Sequence, residues 1–289
     1  MRLGSSPPVR ARHHRESRPP QQSEIRHHRR NIQVSNYQAN TGIAQGVGTG
    51  EIPAVRANIR SVRRTPNQSR RSAIRTAFVF DLDGTLIDSA PDIADAANRL
   101  LVEYGGTPQP IGKVMKMVGG GAPKLLERAF AAAGLAMPPA EEVLARFLEY
   151  YHTGPAMMTK PYPGVPHLLG ALHRAGNPIA LCTNKPGRAT DAILTRLGWD
   201  GLFDAVVSGD DLSVKKPDPL PVLAALFLAG GTPNRAVYVG DSHVDVQAAR
   251  NAGLPVMVLT HGYAHGPVSA LRADALATTI RPLLRLAGS

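Results

Sequence analysis

From residue 77 onward, short apolar runs alternate with longer stretches in which apolar side chains recur every three or four positions. The runs 77–80, 179–182, 205–207, 236–239 and 256–259 are brief, apolar and partly β-branched or aromatic, which predicts buried strands. The stretches 167–175, 188–197, 220–229 and 244–252 have the amphipathic spacing of helices. Strands that alternate with helices in this way predict an α/β fold, a doubly wound parallel sheet with helices on both faces. Ligands of such sheets bind beyond the carboxyl ends of the strands.

One interval breaks the alternation. Between the first two predicted strands lie about a hundred residues with no convincing strand, and their pattern predicts helices over 91–104, 110–118, 122–133 and 140–151. Asp88 or Ser89 ahead of Pro91 is a start signal, while Gly105-Gly106 and Gly134 are stops. Pro161-Tyr162-Pro163-Gly164 turns the chain back. The expected division is a disordered basic tail over 1–71, an α/β core over 72–91 and 162–289, and an inserted helical subdomain over 92–161.

Charge separates the tail from the rest. Residues 1–75 hold 15 arginines, no lysine and only Glu16, Glu24 and Glu51, so they carry the whole excess of a chain whose formal charge is +11. The globular part is close to neutral. Three readings of the tail stand: an arm for nucleic acid or another anionic surface, an organellar targeting segment, or a translated upstream segment without function. Cys182 is the only cysteine, so no intrachain disulfide or cysteine-rich metal site is expected. With no run of about 18 apolar residues and no apolar stretch near the N-terminus, neither a membrane partner nor a secretory signal is expected. The expected compartment is the cytoplasm.

The candidate chemistry stands at the strand ends. Asp81 and Asp83 follow the first predicted strand and precede Gly84-Thr85. Two carboxylates this close can share a divalent cation. Asp81 is the candidate nucleophile, able to attack phosphorus and form an aspartyl-phosphate. Asp83 is the candidate acid for the leaving oxygen and then the base for water. Thr183, after the second strand, offers a hydroxyl to a phosphoryl oxygen, and Asn184 could fix substrate or the Asp81 loop. Lys215 and Lys216 follow the third strand, and Lys216, directly before Pro217, is the one assigned to neutralise a transferring phosphoryl group. Asp241, after Gly240 and the fourth strand, would be a further oxygen donor to Mg²⁺. Asp245, one helical turn on, would orient the metal shell or Lys216.

These motifs, in this order, resemble the haloacid dehalogenase-like hydrolase superfamily: Asp81-Leu82-Asp83-Gly84-Thr85, Thr183, Lys216 and Gly240-Asp241-Ser242-His243-Val244-Asp245. The resemblance runs from about Ala77 to Ala275. It implies a Rossmann-like hydrolase core, and the inserted helices look like the mobile α-helical cap of one branch. It also implies that Asp81, the main-chain carbonyl of Asp83, and Asp241 hold Mg²⁺. The amides of Leu82 and Asp83 would bind phosphoryl oxygens, as would Thr183, Asn184 and Lys216. Within the superfamily the text is most similar to the bacterial phosphoglycolate phosphatases, through Tyr162-Pro163-Gly164-Val165, Leu181-Cys182-Thr183-Asn184-Lys185-Pro186, Gly209-Asp210-Asp211-Leu212 and Tyr238-Val239-Gly240-Asp241-Ser242. Leu125-Leu126-Glu127-Arg128-Ala129 fits as well, and Lys124 or Arg128 could reach a substrate carboxylate. His261-Gly262-Tyr263 departs from the Tyr-Gly-Tyr of that group.

The resemblance implies Mg²⁺-dependent hydrolysis of 2-phosphoglycolate, a small phosphorylated metabolite, to glycolate and phosphate. Another phosphate-ester hydrolase or a phosphomutase of the same superfamily is the alternative within the class. Outside it stands a nucleic-acid-binding protein that works through the arginine-rich tail.

Overall fold

The computed structural model describes residues 75–153, 158–263 and 266–286; the tail expected over 1–71 lies outside these. The chain runs β1 (Ala77–Phe80), β2 (Ile87–Asp88), α1 (Ala90–Glu103), α2 (Ile111–Met115), α3 (Ala122–Ala132), α4 (Ala140–Thr153) and β3 (Lys160–Pro161). It continues through α5 (Val165–Ala175), β4 (Ile179–Cys182), α6 (Gly187–Arg196), β5 (Ala205–Val207), α7 (Pro219–Leu228), β6 (Ala236–Gly240), α8 (His243–Asn251), β7 (Val256–Leu259) and β8 (Ala275–Ala277).

Six strands form one sheet in the order β5-β4-β1-β6-β7-β8. Every pairing in it is parallel. The two-residue period of a strand splits β1 between two cores. Phe78 and Phe80 point to one face, where they pack with Leu168 and Leu172 of α5 and Ile193 and Leu194 of α6. Ala77 and Val79 point to the other, against Val222 and Leu226 of α7 and Val246 and Ala249 of α8. The four long apolar strands are therefore covered on both sides, as expected of a parallel sheet. The chain builds outward from β1 through β4 and β5, then crosses back to place β6 on the opposite side of β1. The strand order thus reverses beside β1, the position where such sheets open a crevice.

Helices α1 to α4 form a separate layer with its own apolar cluster. Leu100, Leu101, Leu126, Phe130, Val143 and Phe147 are its buried centre. The cluster also takes in Ala189 of α6 and Tyr263, which follows β7, so the layer rests on the sheet's crevice end. The chain leaves and returns through β2 and β3, which pair antiparallel with Asp88 opposite Lys160. Asp92, in the first turn of α1, clamps the returning segment: its carboxylate accepts from the amides of Met158 (2.6 Å) and Thr159 (2.8 Å) and from the Thr159 hydroxyl (2.5 Å).

Five strands fall within a residue of the sequence expectation, but β2, β3 and β8 were not expected. Two-residue strands carry no period, and β8 is an outer strand of half-exposed and exposed residues. The helix expected over 110–118 stops at Met115. Gly119 to Gly121 follow closely, and Gly119 and Gly121 have φ of 117° and 83°, values that interrupt helical backbone.

Candidate active site

The amide of Asp81 donates to Val239 O at 2.9 Å, and that of Thr183 to Val207 O at 2.9 Å. Each bond extends the parallel ladder by one residue, so both side chains emerge just past the carboxyl ends of β1 and β4. Asp241 follows β6 directly, but its amide leaves the ladder and donates to Asp245 Oδ2 at 3.3 Å. Gly84, in the turn after β1, has φ of 82°, and a Cβ there would collide with the Asp241 carboxylate. A Cβ at Gly262 would also meet Asp241. These two glycines let the loops after β1 and β7 close around one acid.

Lys216 lies at the centre of the charge network. Its Nζ stands 2.9 Å from Asp81 Oδ1, 2.7 Å from Asp245 Oδ1 and 2.9 Å from Tyr238 Oη. Burial alone would push this ammonium down, but Asp245 and Asp81 more than offset that and hold it above the ordinary lysine value. Asn184 fixes its main chain: the Asn184 side chain donates to Lys216 O and accepts from Lys216 N, both at 3.0 Å. Lys216 is 5% exposed, while Lys215 points to solvent.

Asp245 has no free valence for substrate. One oxygen accepts from Lys216 and from Tyr238 Oη (2.9 Å), and the other from Ser242 Oγ (2.6 Å) and Ser242 N (3.1 Å). With Ser242 it forms a reciprocal cap at the start of α8. Burial works against its charge, yet Lys216, Ser242 and Tyr238 hold it below the usual carboxylate range.

Asp81 and Asp241 behave in the opposite way. Burial, with Asp245 and Asp83 adding repulsion, outweighs the pull of Lys216 and raises Asp81 to about 7. Burial, then Asp245 and Asp81, pushes Asp241 well above the carboxylate range, even though Tyr263 N (2.6 Å) and Thr85 Oγ1 (3.2 Å) donate to it. Carboxylate oxygens of Asp81, Asp241 and Asp245 lie within 4.8 Å of one another. Asp81 Oδ1 is buried and, although ion-paired with Lys216, has no well-aligned hydrogen bond. Three acids face one ammonium, an excess of negative charge that a divalent cation would offset. The donor set fits a hard cation.

Asp83 turns its carboxylate away from this acid group. It accepts from Ser89 Oγ at 2.5 Å and meets Lys185 Nζ at 3.0 and 3.1 Å. Lys185 is 7% exposed, and its ammonium lies 4.7 Å from the centre of the Tyr151 ring, brought in by α4. A crevice of about 720 Å³, including its open mouth, brings Asp81, Asp83, Thr183, Asn184, Lys185, Lys216 and Asp241 together under the helical layer. Leu82 is fully buried, and with Asp83 it leads from β1 into the turn that starts at Gly84.

The sequence pattern assigns no site role to Lys185, Tyr238, Thr85 or Tyr151. A second lysine directly after Thr-Asn at a strand tip was a usable signal for the first. The tyrosines sit in apolar patterns that read as core. Lys124 and Arg128 do not line the crevice: Lys124 is half exposed and pairs with Glu127 at 2.6 Å, and Arg128 donates to Met117 O at 3.0 Å. His261 stacks on Tyr162, ring centres 3.9 Å apart, and its Nε2 lies 3.3 Å from Thr85 O.

The parallel sheet, with acids at its strand ends, a buried lysine beside them and a helical layer above, is a Rossmann-like α/β core. The sequence profile of the haloacid dehalogenase-like hydrolases matches residues 78–259, and the chain belongs to that family. It is 46% identical over 193 residues to a phosphoglycolate phosphatase of Cereibacter sphaeroides, a match that covers 66% of this chain and 87% of that protein. With the phosphoglycolate phosphatase of Rhodospirillum rubrum it shares 43% identity over 206 residues, 69% of this chain and 86% of the other. Among solved structures it is similar to a protein from Haemophilus somnus described as a predicted phosphoglycolate phosphatase, with a TM-score of 0.69 and 32% identity over 73% of this chain and 97% of that one. CbbY from Rhodobacter sphaeroides, solved in complex with phosphate, gives a TM-score of 0.63 at 25% identity, covering 73% of this chain and 96% of CbbY.

Proposed function

We propose that this enzyme is a phosphoric monoester hydrolase that converts 2-phosphoglycolate and water to glycolate and phosphate through an aspartyl-phosphate. The observation that carries the reading is the Asp81 carboxylate, buried at a strand tip, 2.9 Å from Lys216 and grouped with Asp241. That is a nucleophile beside the charges phosphoryl transfer needs.

Asp81 attacks phosphorus, and the bond from phosphorus to the glycolate oxygen breaks. Asp83 delivers a proton to that oxygen. Asp83 then takes a proton from the water that attacks the aspartyl-phosphate, which releases phosphate and restores Asp81. Lys216, Thr183, Asn184 and the amides of Leu82 and Asp83 hold the phosphoryl oxygens, and Lys216 offsets the charge that builds on them. Asp81, the main-chain carbonyl of Asp83, and Asp241 would hold Mg²⁺, which supplies positive charge at the transferring group. Asp245 acts through Lys216, whose direction it fixes.

In this reading residues 72–91 and 162–289 are the catalytic core, and 92–161 are a cap that closes over the crevice and excludes bulk water. No helix among the described residues is long and apolar enough to cross a membrane. We take the compartment to be the cytoplasm, in keeping with a lone buried thiol at Cys182.

The test is kcat/KM with Mg²⁺ for 2-phosphoglycolate beside sugar phosphates, nucleotides and pyrophosphate. The expected preference for 2-phosphoglycolate is about a hundredfold or more, equivalent to about 2.7 kcal/mol of transition-state discrimination. A flat profile, or another winner, would leave the hydrolase and remove this substrate.

A further inference from the structure

Two polar groups in the crevice are assigned no contact with the transferring phosphoryl group. The first is the Lys185 ammonium. Of the residues that line the crevice, Lys185 and Lys216 are the cations, and Lys216 is held by Asp81 and Asp245. An ammonium has three N–H donors, and the Asp83 carboxylate meets Lys185 with its two oxygens. The second group is the Tyr151 hydroxyl. It is buried, on a residue only 7% exposed; the Lys185 ammonium is its polar neighbour, and its own O–H has no well-aligned acceptor. A buried hydroxyl left unsatisfied costs about 1–3 kcal/mol, which a ligand that accepts its proton would recover. Elsewhere the helical layer's contribution to the crevice is Ile93, Val118, Leu125, Phe147 and Leu148, which offer no polar side-chain atom.

The two groups adjoin. The Lys185 ammonium lies 4.7 Å from the Tyr151 ring centre and within 3.1 Å of the acid assigned to protonate the leaving oxygen. An anion one methylene beyond that oxygen would fall next to them. We infer that Lys185 and Tyr151 form a two-point cradle for the carboxylate of a short phosphorylated acid, one point from the core and one from the cap. The inference rests on the substrate reading above and adds the residues that select it. The ammonium supplies charge, and the hydroxyl donates a hydrogen bond that no protein group accepts. Because Tyr151 rides on α4, the cradle is complete only with the helical layer over the crevice, so the substrate's carboxylate favours the covered state.

The experiment measures kcat/KM for 2-phosphoglycolate and for ethyl phosphate, which has a methyl group in place of the carboxylate, in the wild-type enzyme with Mg²⁺ and in Lys185→Met, Lys185→Arg and Tyr151→Phe. The ratio of the two values is the readout. It is expected to fall about a hundredfold in Lys185→Met, which loses a buried charge partner, and about fivefold to tenfold in Tyr151→Phe. Lys185→Arg should keep most of it. Far-ultraviolet circular dichroism and the remaining ethyl phosphate turnover check that each variant is folded. A wild-type ratio near one would remove the substrate reading and the cradle with it. A high wild-type ratio that survives in Lys185→Met, with both rates lowered alike, would overturn the cradle alone and leave Lys185 a positioning residue for Asp83. An unchanged ratio in Tyr151→Phe would overturn the two-point form.

Discussion

The two walls of the crevice differ in kind. The core wall, built from the ends of β1, β4 and β6 and the loop before α7, carries Asp81, Asp83, Thr183, Asn184, Lys185, Lys216 and Asp241, and their side chains are tied to one another, to Thr85 and Ser89 or to main chain at 2.5–3.2 Å. The cap wall is Ile93, Val118, Leu125, Phe147 and Leu148 with Tyr151 and two glycines. A dense polar wall can fix reacting groups to within a fraction of an ångström, and it owes this to a parallel sheet whose strand ends cannot shift independently. An apolar wall excludes water and strengthens the charges opposite it. By shape alone it separates substrates by only about 10- to 200-fold for each methylene. On the mechanism proposed above, chemistry belongs to the core wall, and selection belongs to whatever polar contact the cap wall adds.

The sharpest way to break this comparison is Asp81→Asn. The change is nearly isosteric and removes the attacking carboxylate. Turnover should fall by about 10⁴-fold or more, the scale of losing a covalent nucleophile. The fold should survive, because the neutral amide no longer repels Asp245 and Asp83, which offsets the lost pairing with Lys216. Steady-state rates with 2-phosphoglycolate, together with a thermal melt, measure both. Near-wild-type hydrolysis by the variant would sink the covalent mechanism.

Removal of divalent cations should come next, lowering kcat by about 10³-fold, and it should leave a signature in stability as well as rate. Asp81 is raised to about 7, and Asp241 is raised well above the ordinary carboxylate value. In the unfolded chain both lose their protons near 4. Between those values the folded, metal-free protein binds more protons than the unfolded one, so its stability falls as pH rises. The stabilisation contributed by the protonated acids is whole below pH 4 and is lost as pH climbs, through about 7 for Asp81. A cation competes with those protons. The rise in Tm on adding Mg²⁺ should therefore be several degrees larger at pH 8 than at pH 6. An equal rise at the two pH values would mean that the acid group does not hold the metal.

The two walls were unequally legible in the sequence. The core strands could be read because each is a short apolar run on a sheet buried from both sides, and the chemistry follows each run directly. Asp81, Thr183 and Asp241 could thus be placed at strand tips, and Lys216 in the loop after β5, without coordinates. Which partner each side chain takes could not. Asp83 turning to Lys185 and Ser89, or Tyr238 reaching Lys216 from inside an apolar strand, depends on contacts between residues up to a hundred positions apart. The helical layer could be read as helices, because its period is clear. Which of its faces looks into the crevice could not, since Leu125 and Phe147 on that wall and Leu126 and Phe130 in the layer's centre are the same kinds of residue. Lys124 and Arg128, the charged residues that drew notice, lie elsewhere.

The finest test of the comparison lies on the seam between the walls. Tyr263, on the loop after β7, accepts at its hydroxyl from the amides of Ser89 (2.8 Å) and Ala90 (2.9 Å), where α1 begins, and donates to Asp88 Oδ1 at 2.8 Å. These bonds tie the first cap helix to the core. Tyr263→Phe keeps the ring and its packing and takes the acceptor from the Ser89 amide at a buried helix start, while the Ala90 amide keeps Asp88 Oδ1 at 3.2 Å. The expected loss is about 1–3 kcal/mol, or a Tm lower by several degrees. Asp241 keeps its bond from the Tyr263 main chain, so the core wall is left intact. With only the cap's seating loosened, KM for 2-phosphoglycolate should rise about threefold to tenfold, with kcat changed by less. If kcat instead fell as steeply as in Asp81→Asn, the seam would be part of the reaction itself, and the division of labour between the walls would not hold.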